Sequence, residues 1–415
     1  MATATQAQPG TFADEFREKW PLALVAYLMM LFAFGVPTFA LPFIYPGAIE
    51  ELHWTRGMAV EIASFKFYTS AVAALVIGRL LDTVSPKYVV ATCAVLGAIA
   101  LIGFLGATNL PVYYTLGVVL GINAAGMAVA INVIVARVFE RSTGTALGIV
   151  LAGTSTAGII VPPIMAQLLQ AVGWHNTMAL LSLGIIVVAL PCWFFLMRKG
   201  SRFEEEIRTG SYSAARTGMW EHFLDLAKTR NFWFIFVGIF LIAAVDQGFI
   251  QNQVLFLKNE RGIDINSVAW AAALFATIGI VSKIAFGWVY DRLSITGIVL
   301  CYALIAISSA MSLTVTSVAA MVVFMSVRGV AHGGSIVDGP VLAKHYYGPK
   351  NLGLNIGIFT LCTSIGFGTG PTLMAHMADV SASKSYIGAF ILATAAAALA
   401  TVLLIPVKPR FWTKP

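Results

Sequence analysis

Twelve times along the chain an apolar stretch runs on for about twenty residues or more, and that recurrence limits what the chain can fold into. The stretches lie at 21–45, 57–80, 88–107, 111–134, 146–170, 176–197, 232–256, 267–290, 294–314, 317–340, 353–377 and 385–407. Crossing the hydrocarbon core of a bilayer takes roughly 20 helical residues. A backbone exposed to lipid must satisfy its own hydrogen bonds, so continuous apolarity of this length predicts helices. Only 11% of the 415 residues are charged, and mean hydropathy is +0.84. A soluble chain carries about 25% charged residues. The expected class is therefore an all-α integral membrane protein with twelve transmembrane helices.

The net charge of +7 would hint at nucleic acid in a soluble chain, but its distribution gives another reason. With the N-terminus inside, 19 of the 26 lysines and arginines fall in cytoplasmic tails and loops. Four fall outside, and three lie within spans: Lys66, Lys283 and Arg328. The bias follows the positive-inside rule and places both termini in the cytoplasm of a multi-pass cell-membrane protein, the inner membrane if the source is bacterial. No nucleic-acid partner is implied, and the chain is expected to act as a monomer in the lipid bilayer. The polar start, "MATATQAQPGTFADEFREKW", contains acidic residues and no apolar core before a cleavage site, so no removable signal peptide is expected. The four cysteines all lie inside spans and read as small apolar side chains rather than metal ligands or disulfides. No "GxxxxGK[ST]" segment cradles a phosphate, which argues against an internal ATPase. No cofactor, metal or soluble-enzyme chemistry is expected.

The charge-rich segment 198–231 divides the chain into an N-terminal six-helix bundle (1–197), a cytoplasmic central loop (198–231) and a C-terminal six-helix bundle (232–415). Within the loop, "MWEHFLDLAK" is either a short interfacial helix or a plain tether. The halves repeat. "GRLLD" (Gly78–Asp82) is matched by "GWVYD" (Gly287–Asp291), and "GTALGI" at Gly144 by "GLNIGI" at Gly353, both pairs 209 residues apart. Two matches at one offset argue for duplication, and parallel six-helix halves place a substrate site between them near the midplane.

"GRLLDTVSPK" resembles the loop between the second and third spans of the major facilitator superfamily: a glycine, an aspartate four residues on, then a basic residue, Lys87. The second copy in "GWVYDRL", the twelve spans and the long central loop extend the resemblance over the whole chain. A finer likeness lies in "VFERSTGTALGIVLAGTSTAG", similar to the fifth-span signature of the monocarboxylate transporter and oxalate:formate antiporter branch. Phe139, Arg141, Ala146, Gly148, Ala152 and Gly153 fit it, whereas the next glycine of the pattern is Ala157 here. The acidic–glycine–aromatic signature of the branch's animal members is missing from "EKWPLALVAYLMM". The resemblance implies two pseudo-symmetric six-helix bundles working by alternating access. It also implies that Asp82 and Asp291 act in gating, paired with Arg137 or Arg141 and with amides at helix N-termini. Gly78 and Gly287 would let neighbouring helices approach closely. The alternative for these motifs is simple termination of a span by charge.

Charges inside spans line a cavity or pair with one another. Lys283 stands four residues before Gly287, where it resembles the branch's carboxylate-binding arginine, though lysine lacks the two-point fork. The branch's aspartate one turn earlier falls at Gly279. Arg328, with His332 at i+4 and Ser335 at i+7 on much the same face, is either a second cation gripping a carboxylate or a structural arginine bonded to carbonyls or an acid. His332 either orients substrate and carries a proton or is a satisfied packing residue. Asp246 is the candidate for proton coupling, the alternative being a fixed ion pair with Arg328 or Lys283. Lys66 either attracts anions or snorkels to the surface. Tyr68, Phe249, Gln253 and Asn123 complete the candidate substrate site, with helix–helix hydrogen bonding as the other role for the polar ones. Three buried cations favour an anion. The expected function is a secondary active transporter of a small organic anion, a mono- or aromatic carboxylate, coupled to protons. Carboxylate/carboxylate exchange or export of an amphipathic metabolite or drug are the alternatives.

Overall fold

The computed structural model describes residues 12–81, 84–139, 143–198, 219–348 and 352–411, with no strand among them. Among the described residues eleven helices are long and apolar enough to cross a membrane, and one of these covers 51 residues, Ala146–Leu196. That helix is two passes. Gly173, at φ 75° and ψ 172°, breaks it in a conformation that a side chain would resist. Before the break, Gly153 lies against Tyr27 and Leu31 of the first helix. The indole of Trp174 donates to Glu51 at 2.7 Å, at that helix's far end. After the break, the chain returns from His175, beside the Phe104 carbonyl, to Trp193, which donates to the Lys87 carbonyl at 3.1 Å. The sequence expectation of twelve passes holds.

We label the passes α1 (residues 12–52), α2 (Arg56–Leu80), α3 (Pro86–Gly103), α4 (Leu110–Val138), α5 (143–172), α6 (174–196), α7 (Arg230–Val254), α8 (Ile265–Leu293), α9 (Ile295–Met311), α10 (Val318–Ser335), α11 (Leu352–Val380) and α12 (Ile387–Leu404). α1 and α6 carry π-helical turns at Met30–Gly35 and Gly184–Ala189. Both turns lie just before a proline, Pro37 and Pro191, whose missing N–H loosens the preceding turn. Met219–Ala227 forms the short helix that "MWEHFLDLAK" allowed, and Phe223 packs edge-on against Phe232 of α7, centroids 5.5 Å apart.

The two bundles repeat one packing device. α4 sets Gly117 and Gly121 against the backbone of α2, where a Cβ would stand 2.8 Å from the Ile62 carbonyl oxygen and 2.5 Å from that of Lys66. α10 sets Gly329 and Gly333 against α8 in the same way, at 2.8 Å from the Phe275 oxygen and 2.7 Å from that of Gly279. Small residues four apart let helices pack backbone to backbone where lipid offers no hydrophobic drive.

α2 meets α11 and α5 meets α8 across the seam between bundles, and the contacts gather at one end. On α2 the residues from Arg56 to Tyr68 touch α11 from Phe367 to Asp379. At the other end, where the termini lie, nothing comes within 4 Å of a Cβ built on Gly78, Gly148, Gly287 or Gly357. Val76 of α2 and Ile284 of α8 are exposed there. Gly78 and Gly287 therefore permit no close approach here, contrary to the sequence expectation, because the helix ends that carry them stand apart. Asp82 and Arg141 lie outside the described residues, as do the side chains of Arg137 and Asp291.

Candidate functional site

Asp246 sits well inside α7, and its two carboxylate oxygens meet two different residues of α10. Oδ2 lies 2.7 Å from His332 Nδ1, and Oδ1 lies 3.5 Å from Arg328 Nη2. Arg328 and His332 are one turn apart on α10, so the helix repeat delivers both to the same acid. Exposure separates their roles: Asp246 and Arg328 are each 1% exposed, whereas the His332 side chain is 15% exposed. The imidazole is the accessible end of the group, resting on Phe275 of α8 at a centroid distance of 5.0 Å. Gly279, on the same helix, leaves open the space a larger side chain would take, 3.5 Å from the imidazole edge.

Arg328 does not face the seam between the bundles, as one of its two sequence readings required. Its guanidinium donates to Ser308 and Ser309 of α9, at 3.2 and 2.9 Å, and to the Val245 carbonyl of α7 at 3.0 Å. It also stands 5.2 Å from the centroid of the Phe249 ring. These partners offset the desolvation of a charge inside an apolar bundle and tie α7, α9 and α10 together. Phe249 is likewise turned inward, edge-on to Phe324 at 5.1 Å, and forms no wall of the seam. Asn123 donates to the Cys93 carbonyl at 2.8 Å, a bond between α4 and α3 rather than a cavity contact. Gln253 is buried, and its side-chain oxygen has no hydrogen-bond partner.

Three candidates do reach across to a neighbouring helix, two of them across the seam. Lys283 of α8 is half-buried and donates to Ser155 of α5 at 3.2 Å, bridging the two bundles. Lys66 of α2 is buried and donates to Thr38 of α1 at 2.7 Å, with the Phe67 ring 5.4 Å away. Among the described residues neither ammonium has a carboxylate within ion-pair distance. Tyr68 shares a 2.8 Å hydrogen bond with Thr369 of α11, also between bundles. It stands at the edge of a cavity of about 730 Å³ along α2, α3 and α4, lined mainly by apolar side chains such as Val72, Val76, Leu80 and Leu96. No charged residue lines that cavity, so it offers a carboxylate no counter-charge.

Sequence reasoning missed the contacts that shut the far end. Asp379, near the end of α11, accepts the backbone amides of Arg56 and Gly57 at 3.1 and 2.7 Å. These are the first residues of α2, where amides have no partner within their own helix and the dipole favours an anion. Ser64 hydrogen-bonds the Gly368 carbonyl and the Thr372 hydroxyl. Tyr45 of α1 donates to Gln251 of α7 at 2.8 Å. Backbone amides carry no side-chain signal, which is why the sequence showed none of the Asp379 latch. Asp379→Asn removes a charge-assisted contact worth about 1.5 to 3 kcal/mol. A cysteine at Thr372 should then react about tenfold faster with a membrane-impermeant maleimide. An unchanged rate would mean that Asp379 does not hold this end shut.

The profile of the Major Facilitator Superfamily matches residues 23–293 and 235–412, almost the whole chain. The chain belongs to that superfamily. It is a multi-pass membrane transporter, not an enzyme. Monocarboxylate transporter 12 of Xenopus laevis is 25% identical over 313 residues, covering 70% of this chain and 67% of that protein. The 4-hydroxybenzoate transporter PcaK of Acinetobacter baylyi is 23% identical over 368 residues, covering 80% and 79%. In structure, this transporter overlays on a bacterial homolog of the human lysosomal transporter Spinster, inward-facing and unoccupied, with a TM-score of 0.72. That match covers 97% of both chains at 16% identity and establishes the shared fold.

Proposed function

We propose that this transporter carries a small organic monocarboxylate, aromatic acids included, together with a proton by alternating access. The observation that carries the proposal is a pair of ammonium groups, Lys66 in one bundle and Lys283 in the other, whose side-chain partners are hydroxyls rather than acids. A lysine inside the membrane with no acid in ion-pair contact favours an anionic guest, and Lys283 already spans the seam that such a guest would enter. The names of two relatives, a monocarboxylate transporter and a 4-hydroxybenzoate transporter, support the same substrate class. With both termini cytoplasmic, as the lysine and arginine balance implies, the state described here is open to the cytoplasm and shut outside.

Coupling follows from charge. Among the described residues Lys283 and Asp246 form no ion pair, but both charges lie inside the membrane, where the field of one reaches the other. A carboxylate bound at Lys283 cancels that positive field, so the His332–Asp246 pair then accepts a proton more readily. By linkage, a proton on that pair tightens the hold on the anion by the same factor. Anion and proton therefore load and leave together, as symport requires. The bundles 1–197 and 232–415 would rock about this seam, with 198–231 as the tether and one chain as the working unit. Thermal melting of the purified protein in detergent tests the substrate class. Benzoate and 4-hydroxybenzoate should raise the midpoint by several degrees, more so at pH 5.5 than at pH 8, while succinate should leave it unmoved. Stabilisation by succinate alone, or by no carboxylate, would rule the proposal out.

A further inference from the structure

Asp246 Oδ1 is buried and accepts no hydrogen bond from the protein, Arg328 being the nearest charge at 3.5 Å. Its carboxylate lines a small void whose other polar walls are Ser335 and Asp338, just beyond α10, and Thr363 of α11. The void measures about 10 Å³, room for one water and too little for an organic solute. Its polar lining also suits a water, which needs two to four partners. Ser335 and Thr363 each spend their proton on a backbone carbonyl, at 3.0 and 2.9 Å, which leaves their oxygens as acceptors for a water. Its apolar walls on α7, Ile239, Ile242 and Ala243, lie on the side of Asp246 toward the end of the molecule where the termini lie.

Asp338, on the far wall, is a second buried carboxylate that the transport scheme has not used. Tyr302 of α9 donates to it at 2.6 Å, and among the described residues it takes part in no ion pair. The titratable groups around it are Tyr302 and Cys301 of α9, Tyr290 of α8, Cys362 of α11 and Asp246 of α7. No cation stands among these groups.

We infer that one buried water bridges Asp246 and Asp338 and relays protons between them, giving the His332–Asp246 pair its route toward the cytoplasmic end. The step moves a single proton. The Asp246 carboxylic acid gives its proton to the water oxygen, and the water gives one of its own to the Asp338 carboxylate, leaving the water whole. The relay rests on the proton-coupled proposal above and adds to it a second carboxylate, Asp338, and a path.

Two measurements on the full chain test it. In proteoliposomes, with 4-hydroxybenzoate as the probe, Asp338→Asn should cut accumulation driven by a pH gradient at least tenfold, and Thr363→Val several-fold. Counterflow of the same probe at equal pH should stay within twofold of wild type for both. Full gradient-driven accumulation in Asp338→Asn, alongside its loss in Asp246→Asn, overturns the relay and leaves proton coupling standing. Accumulation that survives Asp246→Asn overturns the coupling itself. Loss of counterflow in Asp338→Asn with wild-type behaviour in Thr363→Val marks a structural acid and also overturns the relay. The second measurement needs no substrate and decides if the probe is not carried or Asp338→Asn does not fold. Infrared titration of the purified protein should show two carboxyls titrating as a coupled pair. Thr363→Val should weaken that coupling. Two independent titrations in the wild type overturn the inference.

Discussion

Arg328→Ala is expected to leave little folded transporter in the membrane. The guanidinium joins three helices through Ser308, Ser309 and the Val245 carbonyl, and it stands beside Asp246 at 3.5 Å where both are 1% exposed. Truncation strips those donors and leaves the acid with His332 alone. Removing one partner of a buried pair costs about 3 to 5 kcal/mol, a large share of a total stability of about 5 to 15 kcal/mol. The midpoint of thermal melting in detergent should fall sharply, and gel filtration should show aggregate. Arg328→Lys keeps the charge without the planar fork and should fall between the two. Adding Asp246→Asn to Arg328→Ala removes the stranded charge, so the double variant should be more stable than the sum of the single losses, by about 1 to 3 kcal/mol. A variant Arg328→Ala that melts like the wild type, purifies as a monodisperse species and only binds its acid more weakly would make Arg328 a substrate contact instead.

That result would also mark the limit of what the sequence discloses. The passes were legible because length and apolarity are properties of single helices. Even the break at Gly173 fell between the stretches 146–170 and 176–197. The α7–α10 acid–base group was half legible. Helical spacing puts Arg328 and His332 on one face, and an acid mid-way along a span, Asp246, reads either as a proton carrier or as half of an ion pair. The sequence offered Arg328 or Lys283 as its partner, and the closest contact is His332 at 2.7 Å. Which way that face turns depends on how α7, α9 and α10 pack, and no periodicity within one helix encodes that. The hydroxyls that hold Arg328 lie about twenty residues earlier, in α9, where Ser308 and Ser309 look like ordinary small residues of a span. Asn123 and Phe249 failed as cavity residues for the same reason: a polar or aromatic side chain within a span serves a neighbouring helix as readily as a guest. Lys66 and Lys283 each reach a hydroxyl on a neighbouring helix, Thr38 and Ser155, because the lysine stem is long enough to cross that gap.

Lys283→Gln should abolish accumulation while leaving the fold intact. The side chain is half-buried, its hydrogen bond runs to a single hydroxyl, Ser155, and no carboxylate is stranded within ion-pair distance when the charge goes. Glutamine can keep a bond to that hydroxyl, so the melting midpoint should move by a degree or two at most. Transport should respond differently. Truncating one member of a desolvated charge pair costs about 2 to 5 kcal/mol, and 1.4 kcal/mol is a tenfold change. Uptake of 4-hydroxybenzoate at low concentration should therefore drop by about two orders of magnitude. The pH response should vanish with it, because the proton site at His332–Asp246 senses the anion only through the charge of Lys283. Lys283→Arg supplies the two-point fork that lysine lacks and should restore a large part of the uptake. Normal uptake in Lys283→Gln with its pH dependence intact would put the anion elsewhere, with Lys66 the other lysine inside the spans. Uptake that is lost together with the melting midpoint would show Lys283 bracing α8 against α5 rather than receiving a guest.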